Sequence, residues 1–334
     1  MNSTLRQRST VLLAASSVLA LAGCGAAQSG EAASTESSAA ATSSTIEVED
    51  NYGTQTVAAP PESVVATDNR TFETLADWDV ELAAAPRALM PDTVSYVDDE
   101  SVTDLGNHRE PDLEAVVAAD PDLIVNGQRF AQYRQDFADL VPDATIVELD
   151  PRDGEPFDEE LKRQTSVLGE IFDRTDEADR INGDFDEAMQ RVVEGYQPGD
   201  TVMAVTVSGG EIGYIAPGVG RTLGPVFEMF DFEPALQVEG ASDDHQGDDI
   251  SVEAIADSNP DWILVMDRDA AVAAEDAEYT PAQEVLEGAE ALQNVTAVQE
   301  GNVVYMPQDT YTNEGIQTYT EFFNTLADAM GEQN

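Results

Sequence analysis

The chain has 334 residues and sets 67 acidic side chains against 15 basic ones, a formal net charge of −52. Such a surface repels nucleic acid and anionic lipid headgroups, and with Cys24 as the only cysteine an intrachain disulfide and a cysteine-built zinc site are excluded. Lys162 is the only lysine, so a positive site on this molecule must be assembled from arginines.

At the N-terminus, Arg6 and Arg8 precede an apolar run from Val11 to Ala22 that is too short to span a bilayer and has the form of a secretory signal. It closes on Leu21-Ala22-Gly23-Cys24, which resembles a bacterial lipobox. That resemblance implies a signal peptide over 1–23, cleavage before Cys24, lipid modification of its thiol and a protein anchored at the outer face of the cell membrane. No later segment is long enough to be a transmembrane helix. Residues 24–44, rich in Ser, Ala and Thr, have the composition of a flexible tether. About 20 such residues give a root-mean-square reach of roughly 25 Å.

The next stretch, 45–174, predicts an N-terminal α/β lobe. Short β-branched runs at 63–69, 122–127 and 145–150 read as strands, with helical apolar spacing such as Leu113, Val116 and Val117 between them. A bridging helix is expected over 175–196. From Asp176 to Glu194 the residues Ala178, Ile181, Phe185, Ala188, Met189 and Val192 follow a helical period, with Thr175 as the expected N-cap. At about 19 residues it spans roughly 28 Å. The remainder, 197–334, predicts a second α/β lobe with strands at 201–207, 211–216, 261–267 and 302–307 and a last helix from about Gly315 to Met330. Strands alternating with helices point to mainly parallel central sheets.

The two lobes share a repeat. LEAVVAADPDLIVNGQR (113–129) aligns without a gap on VEAIADSNPDWILVMDR (252–268), at an offset of 139 residues. Each copy is an amphipathic helix, a Pro-Asp turn, a short apolar strand and then an arginine, Arg129 or Arg268, just past the strand's carboxyl end. Ligands of open α/β sheets bind at that end. Two such copies aim two guanidiniums at one shared cleft. Arg70, after the first strand, and Arg109 also occupy loop positions that can face it. The two histidines, His108 and His245, each precede a repeat's helix.

Signal, tether, paired lobes and bridging helix together resemble the solute-binding lipoproteins of ABC importers, and more narrowly the helical-backbone class serving iron-siderophore and cobalamin uptake. The resemblance covers 45–332 and rests on the two repeats, on G-N-H-R-E-P-D-L-E-A (106–115) and on V-G-R-T-L-G (219–224). V-M-D-R (265–268), the arginine of 219–224 and the loop G-A-S-D-D-H-Q-G-D-D (240–249) are most similar to ferric-catecholate siderophore binders. That similarity implies a carrier and not an enzyme, a monomer that captures a ferric siderophore and delivers it to an ABC permease dimer with its ATPase. Fe(III) then arrives as cargo within the siderophore complex, with no intrinsic cofactor. Arg129, Arg221 and Arg268 would surround the anionic complex. His245 and Tyr311 would complete the iron's coordination where the siderophore supplies only four oxygens. Glu114 and Glu253, at equivalent repeat positions, would engage arginines of the two permease subunits. One departure stands out: Gln128 intervenes between Gly127 and Arg129, where the class places the arginine directly after the glycine.

The chemistry agrees with this reading. A ferric catecholate carries excess negative charge on its oxygens, and arginine offers a planar fork of donors that never deprotonates. Other cargoes of the same fold remain open: a hydroxamate siderophore, haem, cobalamin or a cationic solute. A manganese or zinc carrier would want three histidines and a carboxylate. A secreted hydrolase would need an activated nucleophile, and the sequence contains no G-x-S-x-G, H-E-x-x-H, P-loop or G-x-G-x-x-G motif.

Overall fold

Apolar residues alternating along short strands build two central sheets, each buried on both faces. A computed structural model describes residues 44–107 and 110–331. The described chain opens with an antiparallel hairpin, β1 (Ser44–Asp50) and β2 (Gly53–Ala59). The first sheet follows, from β3 (Val64–Ala66), β4 (Leu82–Ala85), β5 (Thr103–Asp104), β6 (Leu123–Asn126) and β7 (Thr145–Glu148). Its order is β5-β4-β3-β6-β7, and every pairing is parallel. Val64, Ala66, Leu123 and Val125 pack on one side with Phe72, Leu75 and Ile171. Val65 and Ile124 point the other way, to Val116 and Phe137. Burial on both faces explains why these strands read as continuous apolar runs.

The second sheet repeats the plan with β8 (Thr201–Ser208), β9 (Glu211–Ile215), β10 (Glu233–Pro234), β11 (Trp262–Asp267) and β12 (Val303–Tyr305). The order is β10-β8-β11-β12 in parallel, with β9 folded back antiparallel on β8. Val202, Ala204 and Leu264 face one cluster, and Met203, Val205 and Ile263 face the other.

The sequence repeat is a structural repeat down to its caps. The helices Leu113–Ala119 and Val252–Ser258 occupy equivalent positions. Asp112 and Ser251 each accept from a backbone N–H three residues on, satisfying donors that the first turn leaves orphaned. Asp120 and Asn259 close the helices in the left-handed region, at φ 44° and 47°. The Pro-Asp turns also share a task. Asp122 accepts from the backbone N–H of Glu62 and Ser63, and Asp261 from Thr201, so each aspartate fastens the start of the neighbouring parallel strand.

Between the sheets the chain runs through the helix Thr175–Gly195. Thr175 is its first helical residue and not its cap. Arg174 is the N-cap, in a non-helical conformation, and its carbonyl accepts from Ala178 N–H, which starts the helix one residue earlier than the threonine signal suggested. Ala178 belongs to the first lobe's core, Phe185, Ala188 and Val192 to the second's, and Ile181 packs against both. A second helix, Phe157–Phe172, lies alongside in the opposite sense. Its Leu161 enters the second lobe's core, while Leu168, Ile171 and Phe172 enter the first's. The last helix, Ile316–Gly331, packs on the bridge, with the Phe185 and Phe323 rings 5.8 Å apart. No described helix is long and apolar enough to cross a membrane.

Candidate functional site

Each sheet has a point where the chain's path reverses, and the two open towards one cleft. In the first sheet, β3 continues to β4 on one side while β6 lies on the other, so the segments leaving β3 and β6 diverge. Thr67–Arg70 and Gly127–Arg129 leave from there. In the second sheet, β8 and β11 are the corresponding pair, followed by Ser208 and by Arg268. Crevices of this kind at strand carboxyl ends are the ligand sites of open α/β sheets. Here they bound a cleft of about 350 Å³ whose lining includes Arg129, Arg268 and Tyr311 beside Met90, Phe130 and Val272.

Tyr311 is the centre of the arrangement. It lies on the connection between β12 and the last helix and is 4% exposed. The guanidinium carbons of Arg268, Arg221 and Arg129 stand 4.8, 5.3 and 5.5 Å from its ring centroid. The His245 ring meets it edge-on at 6.3 Å. All five residues therefore converge, from five separate segments of chain. Gln128 does not displace Arg129. The extra residue is taken up by a left-handed backbone, φ 49°, whose N–H is held 2.9 Å from an Asp150 oxygen.

Charge in the cleft is sharply graded. Burial pushes the Tyr311 phenol up, but hydrogen bonds from Arg129 and Arg268, with their charges, outweigh it and bring the group below the ordinary tyrosine value. Desolvation and the charges of Arg221 and Arg129 hold the His245 imidazole below its usual value, so it is neutral at physiological pH. Arg221 approaches His245 Nδ1 at 3.0 Å. With a neutral ring, the guanidinium donates and the ring proton sits on Nε2. Arg268 donates to Ser208 and Asp269, both at 3.2 Å, while its buried Nε–H has no partner among the described residues.

Arg70 stands beneath this group. Its guanidinium contacts Asp150 at 3.3 Å and Glu314 at 3.4 Å. Glu314 in turn grips Arg221 through both oxygens, each at 3.1 Å, and accepts from Thr222 Oγ1 at 2.6 Å. Burial would push the Glu314 carboxyl up, but the two guanidiniums hold it down at about 2. Glu314 and Asp150, together with Asp269, are the site residues that sequence reasoning missed. Nothing in their local pattern separates them from the other carboxylates.

Glu114 and Glu253 lie apart from the cleft group, both exposed, each in the first turn of its repeat helix. Each helix feeds a parallel strand from the sheet's carboxyl edge, so both first turns lie on the edge where the cleft opens. Cys24, His108 and Arg109 fall outside the described residues.

Comparison with known proteins bears on the family and the fold. The periplasmic binding protein family matches residues 64–310. The petrobactin-binding protein YclQ of Bacillus subtilis is 26% identical over 286 residues, 84% of this chain and 86% of the relative. Its crystal structure superposes with a TM-score of 0.73 at 25% identity, covering 86% of this chain and 99% of that one. The ferric-anguibactin-binding protein FatB of Vibrio anguillarum is 25% identical over 306 residues, 90% of each chain.

Proposed function

The chain belongs to the periplasmic binding protein family, and from that premise we propose that it captures an anionic ferric siderophore, of catecholate type, and hands it to an ABC permease dimer driven by its ATPase. The convergence of Arg129, Arg221 and Arg268 on Tyr311 carries this reading. On a molecule so acidic, three guanidiniums gathered in one cleft suit a ligand that is itself rich in anionic oxygen. Relatives named for petrobactin and ferric anguibactin support the siderophore class. In this reading Cys24 carries the lipid anchor, residues 24–44 form the tether, and Glu114 and Glu253 meet the two permease subunits.

Catecholate oxygens on Fe(III) would accept from Arg129, Arg221 and the free donor of Arg268, as charge-assisted hydrogen bonds stronger than neutral ones. Tyr311, with its lowered phenol, is the protein oxygen best prepared to reach an open iron position. Ligation by His245 through Nε2 requires its proton to move to Nδ1, and therefore requires the Arg221 contact to open first.

Titration with ferric catechol complexes, read by quenching of Trp78 and Trp262, tests the proposal. Removing one partner of a buried, hydrogen-bonded charge pair costs about 2–5 kcal/mol. Arg268→Ala and Arg221→Ala should therefore each weaken binding at least about tenfold, mainly through faster release. Arg180→Ala, exposed on the bridging helix, should leave affinity unchanged. Parent-like binding by both cleft variants would discard the anionic cargo in favour of a neutral or cationic solute.

A further inference from the structure

We infer that Glu314 and Arg70 form a buried latch that positions the ligand-contacting arginines from both lobes at once, Arg70 acting as a positioning residue. The inference rests on the reading of Arg221 and Arg129 as cargo contacts. Its basis is a continuous chain of alternating charge beneath the cleft floor. On the second lobe, Arg221 is held through Nε and Nη2 by both Glu314 oxygens, which leaves Nη1 as its outward donor. The same Glu314 carboxylate contacts Arg70 on the first lobe. Arg70 also contacts Asp150, and Asp150 accepts the Gln128 backbone N–H immediately before Arg129. One run of contacts, Arg221–Glu314–Arg70–Asp150–Gln128, thus joins two cleft arginines across the lobes.

The surroundings keep that run in place. The Glu314 side chain is 1% exposed and that of Arg70 15%. Both ends of the latch are backed by backbone that has no room to shift. A Cβ on Gly315 would come 2.8 Å from the Arg70 carbonyl oxygen, so the connection carrying Glu314 presses directly on the first lobe. Thr222, beside Arg221, has φ 66° and its carbonyl accepts from the buried Tyr319 hydroxyl at 2.9 Å. Asn69 Nδ2 donates to the Thr312 carbonyl at 3.2 Å, and Asn313 Nδ2 to Glu73 at 2.8 Å, on either side of the ion pairs. A guanidinium suits the central position because its fork serves two carboxylates, whereas an ammonium acts as one compact charge.

Two effects of Glu314 on an anionic cargo compete. Its charge offsets part of Arg221's, which disfavours binding. Its geometry fixes Arg221's reach, which favours it. The bidentate grip of a buried carboxylate makes the second dominate, because a released Arg221 would turn to other carboxylates of this acidic protein.

The test measures ferric catechol affinity for Glu314→Gln, Arg70→Lys, Arg221→Ala and the double variant Glu314→Gln/Arg221→Ala, with melting curves to verify folding. Glu314→Gln and Arg70→Lys should each weaken binding about fivefold or more. In the Arg221→Ala background, Glu314→Gln should weaken it less than in the parent, because one of the two arginines that the latch positions is gone. A merely structural glutamate would cost as much in either background, and that outcome overturns the latch. So does tighter binding by Glu314→Gln, which would make the carboxylate only a neutralising charge. If Glu314→Gln fails to fold, Arg70→Lys decides alone, parent-like affinity refuting the latch. Parent-like binding by Arg221→Ala itself indicts the cargo reading instead.

Discussion

Asp68 shows what the cleft floor demands of a single residue. It is fully buried just past β3, accepts from the Arg70 backbone N–H at 2.9 Å and from Gln164 Nε2 at 3.0 Å, and leaves no space for a Cβ on Gly127. Burial, and then the charge of Asp150, push its carboxyl up from 3.8 to about 7, against the pull of Arg70. Between those two values the folded state holds a proton that the unfolded chain has released. Stability contributed by this group therefore falls as pH rises from about 4 to about 7, and is level on either side. Asp68→Asn removes the ionisation, so its melting temperature relative to the parent should improve by a few degrees between about pH 5 and pH 8. Parallel profiles would mean that Asp68 is already charged at the lower pH. At this scale the sequence was legible where residue types were scarce. With 15 basic residues and two histidines, position after a strand was enough to single out Arg129 and Arg268, whereas Arg221 and His245 came from the resemblance of their loops to a known family. It was illegible for Glu314 and Asp68, because 67 carboxylates look alike until burial selects among them.

The paired repeat helices carry the prediction that belongs to elements. Leu113–Ala119 and Val252–Ser258 match in length, cap and left-handed close, and each exposes a glutamate in its first turn. Two equivalent acidic groups at one edge suit a two-fold permease that presents one basic group from each subunit. Glu114→Lys combined with Glu253→Lys should abolish siderophore uptake in cells while ferric catechol affinity in solution stays at the parent value. A fall in affinity would place these residues in the pocket or the fold. The repeat was readable because helix, Pro-Asp turn and strand each have a strong local period. Other elements were not. The helix Phe157–Phe172 buries Glu160, Gln164 and Thr165 along with its apolar residues, which breaks the pattern that marks an amphipathic helix. Glu160 is held at about 2, where burial is outweighed by Arg152 and Arg163, and only the folded chain supplies those partners. β5 and β10 are two residues each, too short for any period. β3 ends at Ala66 rather than at 69 because Thr67–Arg70 turn away to form the cleft floor.

For the whole molecule, two antiparallel helices cross between the cores, and the last helix braces one of them. That arrangement predicts small lobe rotations and a cleft largely formed before cargo arrives. Encounter is then governed by charge. The molecule carries a formal −52 and the proposed cargo is anionic, so the long-range field opposes approach. The cleft guanidiniums reverse that field only at close range, and two of them are already paired, Arg221 with Glu314 and Arg268 with Asp269. Salt at about 0.1 M screens interactions beyond roughly 10 Å, which removes the repulsion while sparing the short contacts. Rapid mixing with a ferric catechol complex, followed by tryptophan quenching, should therefore show association speeding up as salt is added. Release, set by desolvated guanidinium contacts, should change much less. Association that slows with salt would mean that approach is attractive overall, as it is for a cationic solute, and would count against an anionic siderophore.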